Sequence, residues 1–300
     1  MATIAEEQQN SALLGGKVSF KNVLFVTDFS PSSELALPYA IAMAGTYDGK
    51  VYLAHIVAPE MWEFVPPECV AGVVRSISDY ARRRMDKLVS TADFGAVPHE
   101  VLLQEGDIWD TLHAMVDQHA IDMIAGGVGG HHGLQEVLMG SVANKIIRLA
   151  HRPVLSVGAR SREIQPGHWP QNVLLANDFS LNCAQAIACA DSLARKSNGR
   201  LISLYVAASA PEDPQTTTRL EQFFCQRMRE HLMPATSQLL LQVEFGQPAE
   251  SILKLASNSN ADLIVMGARG AGSIARGSAH FGTTALEVVS QACCPVLTVR

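Results

Sequence analysis

The chain has 300 residues, of which 48% are hydrophobic and 17% are charged, and its formal net charge at pH 7 is −6. This composition excludes an intrinsically disordered chain, and the length suits two domains of about 150 residues each. The negative balance argues against nucleic acid as the main partner, because a phosphate backbone requires a basic surface.

The N-terminal sequence MATIAEEQQNSALLGG lacks the charged start and the long apolar core of a signal peptide. No apolar run reaches the ~18 residues that a transmembrane helix needs, so no membrane association is predicted. Residues 1–19 are polar and weakly patterned, which predicts a flexible leader.

The six cysteines form no Cys-x-x-Cys pair, and none lies at zinc-like spacing from histidines. Reduced thiols are favoured even for the adjacent pair Cys293–Cys294, because neighbouring cysteines bridge only with strain. The pattern therefore predicts a reducing, cytoplasmic location and no metal site.

Apolar runs and helical patterns alternate along the first half of the chain. Strands are predicted at residues 22–27, 50–57, 99–104, 121–125 and 153–157. Helices are predicted at about residues 31–47, 71–91 and 108–119, and from Gly140 to Arg152. Prolines predict a loop over residues 58–70. This alternation is typical of an α/β domain with a mostly parallel, doubly wound sheet.

The second half repeats landmarks of the first half at ordered offsets. Asp178-Phe179-Ser180 repeats Asp28-Phe29-Ser30 at an offset of 150, and Asp262 repeats Asp122 at an offset of 140. Ordered offsets of this kind indicate an internal duplication. We therefore predict a first domain at residues 20–158, a linker at 159–170 and a second domain at 171–300.

In each half an aspartate follows the first strand and a glycine-rich loop follows the fourth strand. The aspartate of the first half is Asp28, and its loop contains Gly127 and Gly130. If the strand order is 3-2-1-4-5, both features face the crevice where the order reverses. Open parallel sheets bind their ligands there, at the carboxyl ends of the strands.

The two features suit different parts of a nucleotide. Glycines let the main chain approach an anion, and a helix that begins at Gly140–Ser141 offers unpaired N–H groups to phosphates. An aspartate repels phosphate, but it can accept a hydrogen bond from a base amine or a ribose hydroxyl. Two simpler interpretations stay open: Asp28 as a helix N-cap only, and the glycine loop as a plain turn.

The spacing Gly127-x-x-Gly130, nine residues and then Gly140–Ser141 resembles the nucleotide-binding motif of the universal stress protein family. The segments VTDFS, LAHIV and RPVLSV resemble that family too. The resemblance covers about residues 20–158 and 171–300, so the chain is identified as a tandem universal stress protein. It implies two α/β domains of the adenine nucleotide alpha hydrolase-like type, each with a five-stranded sheet of order 3-2-1-4-5. It also implies ATP binding, with or without Mg²⁺, dimerisation and induction under stress.

The resemblance also implies roles for single residues. It assigns adenine to Asp28 and to the main chain at Ile56, and it assigns ribose and phosphates to Gly127, Gly130, Gly140, Ser141 and Val142. The equivalent residues of the second half, which form a second candidate site, are Asp178, Val206, Gly267, Gly270, Gly282 and Thr283.

The second copy departs from the motif, because eleven residues instead of nine separate Gly270 from Gly282–Thr283. A phosphate site depends on fixed backbone geometry, so the second half either keeps a modified site or has lost it. Arg269 and Arg276 add positive charge near this loop, and Thr283 is expected to cap the helix.

Several competing motifs fail. There is no Gly-Lys-Ser/Thr of a P-loop, no glycine motif directly after the first strand and no Gly-x-Ser-x-Gly elbow. His131–His132 lacks a third metal ligand, and His55 is predicted to be a core residue. No residue is assigned a catalytic role. The preferred function is an ATP-binding stress-response or signalling module; the alternatives are an interaction protein with degenerate ligand sites and a weak ATPase.

The fifth strand of each half, at residues 153–157 and 295–299, is predicted at a sheet edge. Unpaired edges seek partners. We expect the two halves to pair within one chain through these strands, and a homodimer of chains is expected in addition.

Overall fold

The chain folds into an α/β structure built on one large sheet. The computed structural model describes residues 18–58, 66–129, 146, 151–162, 164, 169–231, 238–270 and 281–300. Within those ranges, no helix is both long and apolar enough to cross a membrane.

The first half contributes strands that alternate with helices. The strands are β1 (Asn22–Val26), β2 (Lys50–Val57), β3 (His99–Glu105), β4 (Met123–Val128) and β5 (Val154–Gly158). The helices in the described ranges are α1 (Pro31–Glu34), α2 (Leu37–Thr46), α3 (Pro67–Thr91) and α4 (Ile108–Gln118).

The second half repeats this arrangement. Its strands are β6 (Asn172–Ala176), β7 (Arg200–Ala207), β8 (Leu239–Phe245), β9 (Leu263–Gly267) and β10 (Val296–Val299). Its described helices are α5 (Leu181–Lys196), α6 (Pro214–His231), α7 (Pro248–Asn258) and α8 (Thr283–Gln291).

The ten strands lie in the order β3-β2-β1-β4-β5-β10-β9-β6-β7-β8. Neighbouring strands within each half are parallel. The predicted α/β class with mostly parallel strands is confirmed, and each half has its own strands in the order 3-2-1-4-5. Successive residues point to opposite faces, so Val23 and Phe25 belong to one apolar core and Leu24 to the other.

The two halves meet through the antiparallel pair β5 and β10. Leu155 lies opposite Leu297, and both are fully buried. The Thr298 hydroxyl also donates to the Val154 carbonyl at 3.3 Å. The two sheet edges therefore satisfy each other within one chain, as the sequence predicts.

Trp169, from the predicted linker, is only 5% exposed and contacts both halves. Its indole N–H donates to the Asp262 carbonyl at 3.1 Å, and its ring packs edge-to-face on Tyr39 at 5.3 Å. The Tyr39 hydroxyl in turn donates to the Arg162 carbonyl. This end of the linker is thus part of the core, although the predicted domain boundaries themselves stay a prediction.

The helix predicted at residues 31–47 is instead two helices, α1 and α2. Pro38 has no N–H with which to bond the Glu34 carbonyl, so the helix ends and begins again. The second half has Ala188 at the position equivalent to Pro38, and there α5 is continuous. The loop predicted at residues 58–70 also ends earlier, because Pro67 is accepted at the first position of α3.

The repeated glycines mark a close approach of two main chains. A Cβ on Gly49 would lie 2.7 Å from the Lys21 Cα, and a Cβ on Gly199 would lie 2.7 Å from the Gln171 carbonyl oxygen. Each glycine therefore allows a second strand to start directly beside the first strand of its half.

The repeated aspartates fix the starts of the same first strands. One carboxylate oxygen of Asp122 accepts hydrogen bonds from the main-chain N–H groups of Lys21 and Asn22, both at 2.9 Å. Asp262 makes the same pair of bonds at the start of β6. Both landmarks of the duplication thus have a structural role.

We expect Gly49→Ala to destabilise the protein by about 1–3 kcal/mol, because the new methyl group overlaps main-chain atoms that cannot rotate away. Gly72→Ala is the matched control. Gly72 lies in α3, and a Cβ added there would have no atom within 4 Å. Alanine at this position should therefore stabilise the protein by up to about 1 kcal/mol. Thermal unfolding midpoints measure both changes, and equal shifts would contradict the close approach.

Candidate nucleotide site

The strand order reverses between β1 and β4, which is where the ligand crevice is predicted. Val26 at the end of β1 pairs with Gly126 near the end of β4. Asp28 and Gly129 follow these strands and lie at the same edge of the sheet. The carboxylate of Asp28 is exposed there. Asp28 therefore lies at the sheet edge where the glycine-rich segment begins, and the loop from residue 130 onward lies outside the described residues.

The turn after β1 is held by its own side chains. The Thr27 hydroxyl accepts from the Phe29 N–H at 2.9 Å and lies 2.9 Å from the Ser33 hydroxyl. Phe29 has φ 60°, a left-handed conformation that is rare for residues other than glycine. Ser30 then caps α1 by accepting from the Ser33 N–H. The chain turns sharply, and Asp28 is left at the outside of the turn.

Asp28 is a carboxylate at neutral pH. Its Oδ1 accepts from the Ser30 N–H at 2.9 Å. Partial burial raises the pKa of Asp28, but the hydrogen bonds with Ser30 and Ser33 outweigh it and bring the pKa below the ordinary 3.8. An ionised carboxylate only accepts hydrogen bonds. Asp28 therefore suits an amine or hydroxyl donor on a ligand and repels a phosphate.

The glycine loop begins against α1. A Cβ on Gly127 would overlap the Ser32 main chain and lie 2.6 Å from the Ser33 Cα. The Ser32 hydroxyl donates to the Gly129 carbonyl, and Gly129 has φ 128°. Glycine at 127 is thus required by the approach of α1, a requirement that exists with or without a ligand.

His55 and Ile56 lie near the end of β2, beside the turn that follows β1, and both are half-buried. His55 Nδ1 lies 2.8 Å from the Thr27 carbonyl oxygen, which only accepts, so Nδ1 carries the proton and Nε2 is an acceptor. Burial lowers the pKa of His55, and the opposing effects of the Thr27 bond and the Asp28 charge are smaller. The neutral ring lies on Phe29, with centroids 4.3 Å apart. His55 is therefore packed against the turn that carries Asp28 and is not fully buried in the core.

The phosphate part of the first candidate site lies outside the described residues. That part comprises Gly130, Gly140, Ser141 and Val142. Their predicted roles stay predictions. The adjacent histidines His131–His132, which were considered as metal ligands, also lie outside the described residues.

In the second half the aspartate lies beside the glycine-rich segment that follows β9. Asp178 accepts from the Ser180 N–H at 3.0 Å and from the Ser180 hydroxyl at 2.6 Å. A Cβ on Gly270 would lie 3.0 Å from the second carboxylate oxygen of Asp178. The loop glycine and the aspartate are thus neighbours, and a larger residue at 270 would press on the carboxylate.

The two ends of the second glycine loop are joined. The Gly282 N–H donates to the Ala268 carbonyl at 2.9 Å. Gly282 is the N-cap of α8 and no side chain caps this helix, so the expected capping by Thr283 is wrong. Thr283 is exposed at the first helical position. Gly267 ends β9, whereas Arg276 lies outside the described residues.

An aromatic cluster lies beside Asp178, next to Val206. Tyr205 replaces His55 and stacks on Phe224, with ring centroids 4.0 Å apart. Tyr205 also packs on Phe179, which has φ 57° and repeats the backbone of Phe29. Burial raises the pKa of Tyr205, and the Asp178 charge adds to this. The second crevice therefore has a more aromatic wall than the first.

Two arginines lie near the second loop. Arg269 belongs to the loop and Arg300 follows β10. Burial lowers the pKa of Arg300, and the positive charge of Arg269 lowers it further. Arg269 was predicted from the sequence and Arg300 was not, because Arg300 comes close only through the pairing of β9 with β10.

The serine and threonine side chains that hold the first turn were not predicted from the sequence. The segment Pro31-Ser32-Ser33 indicates a helix start. The bond from Ser32 to Gly129 joins residues that are 97 positions apart, and no local pattern reveals it.

The class of protein follows from comparison of this fold with known proteins. A family model described as the universal stress protein family matches residues 19–158 and 170–300. The chain therefore belongs to the universal stress protein family, and it is a tandem member.

Individual relatives match one half or both. A universal stress protein of Thermus aquaticus is 36% identical over 142 residues, which cover 43% of this chain and 98% of that protein. A universal stress protein of Mycobacterium tuberculosis is 26% identical over 288 residues, which cover 91% of this chain and 94% of that protein. The solved structure of a universal stress protein from Archaeoglobus fulgidus has a TM-score of 0.69 at 21% identity and covers 94% of this chain and 98% of its own. That structural likeness shows the shared fold.

We expect Gly127→Ala to lower the thermal unfolding midpoint by about 3 °C or more, because α1 must move away from β4. Gly126→Ala is the neighbouring control, since its nearest contact would be the Val26 carbonyl at an ordinary 3.7 Å. If both variants unfold at the same temperature, α1 does not depend on a glycine at 127.

Proposed function

We propose that this universal stress protein binds ATP in the crevice of its first half and acts as a nucleotide-dependent stress-response or signalling module. The observation that carries the proposal is the ionised, exposed Asp28 just after β1, at the sheet edge where a glycine-rich segment begins at the end of β4. Open parallel sheets bind ligands at this place.

In the proposed complex, Asp28 accepts a hydrogen bond from the adenine amine or from a ribose hydroxyl. Continuing the register in which Val26 pairs with Ala54 sets Asp28 level with Ile56, whose main chain is the second proposed contact of adenine. The proposed phosphate contacts are the N–H groups of the loop and of the helix that follows it. Gly127, Gly130, Gly140, Ser141 and Val142 belong to this part. Any Mg²⁺ would be bound by the phosphates, and Asp28 is not proposed as one of its ligands.

The second half differs from the first in features that bear on nucleotide binding. Its aspartate is close to Gly270, its wall is aromatic, and its loop is two residues longer. We infer a modified or lost nucleotide site there, with Asp178, Val206, Gly267, Gly270, Gly282 and Thr283 as its residues. A half that has lost its ligand suits the alternative function of an interaction module.

Assembly and location belong to the same proposal. The edge strands β5 and β10 already pair with each other within one chain. The proposed homodimer must therefore form through another surface. A cytoplasmic location is proposed because adenine nucleotides are abundant there.

The sharpest test is Asp28→Asn. Asparagine keeps an oxygen for the Ser30 N–H but replaces the other carboxylate oxygen by an amide NH2 group, so the outward group changes from acceptor to donor. Loss of a hydrogen bond to a charged group costs about 1.5–3 kcal/mol, which corresponds to about 10–100-fold weaker ATP binding. The affinity for adenosine should fall by the same factor, because Asp28 contacts the base or the ribose and adenosine contains both. Calorimetric titration of the full chain measures both.

Asp178→Asn is the matched control and should leave the ATP affinity of the first site unchanged. Loss of binding in this variant alone would move the site to the second half. If ATP does not bind the wild-type chain at millimolar concentration, the proposal fails. Phosphate release with Mg²⁺ is measured in parallel, and turnover well above background would favour the weak ATPase.

A further inference from the structure

The sheet has two outer edges, one at β3 and one at β8. Among the described residues, no strand lies beyond either of them. An outer strand presents a row of N–H and C=O groups to which another chain can bond, and charged side chains are one means by which proteins block such an edge. The two edges of this sheet differ in that protection.

The edge at β3 is charged at both of its ends. Near its start, the Lys50 ammonium lies 2.6 Å from the Glu100 carboxylate. At its end, the Glu105 carboxylate accepts from the Ser78 hydroxyl at 2.6 Å. A further strand would take water away from these charges, which costs free energy. β3 is therefore a protected edge.

The edge at β8 has an exposed leucine in place of the first of these carboxylates. Glu100 is level with Tyr52 in β2. Leu240 is level with Ile202, which repeats Tyr52 in β7, so Leu240 stands at the position of Glu100. The Leu240 side chain is 47% exposed, and none of the seven residues of β8 is buried. The second outer edge is therefore apolar and open.

The main chain of β8 turns alternately toward β7 and toward the open edge. The Gln238 carbonyl accepts from the Leu201 N–H at 2.9 Å. The Gly246 N–H donates to the Ala207 carbonyl at 2.8 Å. Even-numbered residues of β8 thus bond to β7, and the odd-numbered residues direct their N–H and C=O groups outward. The outward residues are Leu239, Leu241, Val243 and Phe245.

We propose that β8 pairs antiparallel with β8 of a second copy of this chain, across a two-fold axis at Gln242. The inference rests on the homodimer of the proposed function and names its surface. An axis at Gln242, the central residue of β8, pairs the whole strand and sets outward residues opposite outward residues, as an antiparallel ladder requires. The chain already joins two of its edges in this way, since Leu155 of β5 lies opposite Leu297 of β10.

The side chains of β8 complement themselves in this register. On the face that packs on the core, Leu239 lies opposite Phe245 of the second copy. Leu241 lies opposite Val243 of the second copy on the same face. Apolar cross-strand pairs stabilise a sheet. A contact in which the same surface of both copies is used closes on itself and gives a dimer.

The opposite face brings no like charges together. Leu240 lies opposite Glu244 of the second copy, and Gln242 lies opposite Gln242. Glu244 is the only charged residue of β8, and its carboxylate accepts from the Gln242 amide at 2.7 Å. An axis at Glu244 would instead oppose two carboxylates, so the charge favours the axis at Gln242.

The first test changes the charge at Leu240, whose side chain is exposed. Leu240→Glu places a carboxylate opposite Glu244 on both sides of the axis, so the dissociation constant of the dimer should rise about tenfold or more. Leu240→Lys is the matched control, because an ammonium opposite Glu244 should keep or strengthen the dimer. Sedimentation of the full chain measures association, and thermal unfolding shows that both variants fold.

The outcomes separate the surface from the dimer itself. If both variants dissociate equally, the axis at Gln242 is wrong, and if both associate as the wild type does, β8 is not the surface. A wild-type chain that sediments as a single copy overturns the homodimer as well, whereas ATP binding is measured independently. Assemblies larger than two copies would indicate head-to-tail pairing of β8 with β3 and would overturn the proposal.

The second test is a disulfide across the axis. Gln242→Cys sets two thiols opposite each other in a pair without main-chain hydrogen bonds, where the Cα atoms lie about 4.5 Å apart and a disulfide can form. Oxidation should link two copies, as read on a non-reducing gel. Glu100→Cys is the control on the protected edge, and both variants carry Cys69→Ser because Cys69 is exposed. Equal linking through both positions would contradict the pairing of β8.

Discussion

The antiparallel pairing of β5 with β10 is the contact on which the single ten-stranded sheet depends. Each half ends in a short apolar strand whose outer N–H and C=O groups need partners. Because the two strands are related by duplication, each offers the edge that the other lacks. The buried leucines at the centre of the pair join the apolar cores of both halves. Trp169 then closes the junction by contacting one helix from the first half and one strand start from the second.

The two crevices share a backbone and differ in side chains. Phe29 and Phe179 both adopt positive φ, and both aspartates accept from the serine two residues later. Below the turn, however, the hydroxyl pair of Thr27 and Ser33 is replaced by Asn177 and Cys183, with the cysteine sulfur 3.3 Å from the amide oxygen. The duplication therefore preserved the shape of the turn and changed the wall around it. We expect the side chains around each turn to determine which ligand that half prefers.

The α/β class and the duplication could be predicted from the sequence, because apolar periodicity and repeated landmarks are local signals. The position of Asp28 at the sheet edge where β4 ends also followed from the predicted strand order. The division of the first helix at Pro38 was readable in principle and was missed. Gly127 is also required by the close packing of α1. This requirement could not be predicted from the sequence, because Ser32 comes close to the glycine-rich segment only after the sheet has formed. Arg300 was missed for the same reason.

The junction between the halves has a consequence for synthesis of the chain on the ribosome. Val154 and Thr298 are bonded across 144 residues. When the first half has left the ribosome, β5 has no neighbour on its outer side, and it keeps that open edge while the whole second half is made. An open apolar edge attracts other nascent chains. The delay between the two strands is therefore the period in which this protein is most exposed to exchange of β10 between molecules, and slow translation of the second half would lengthen it.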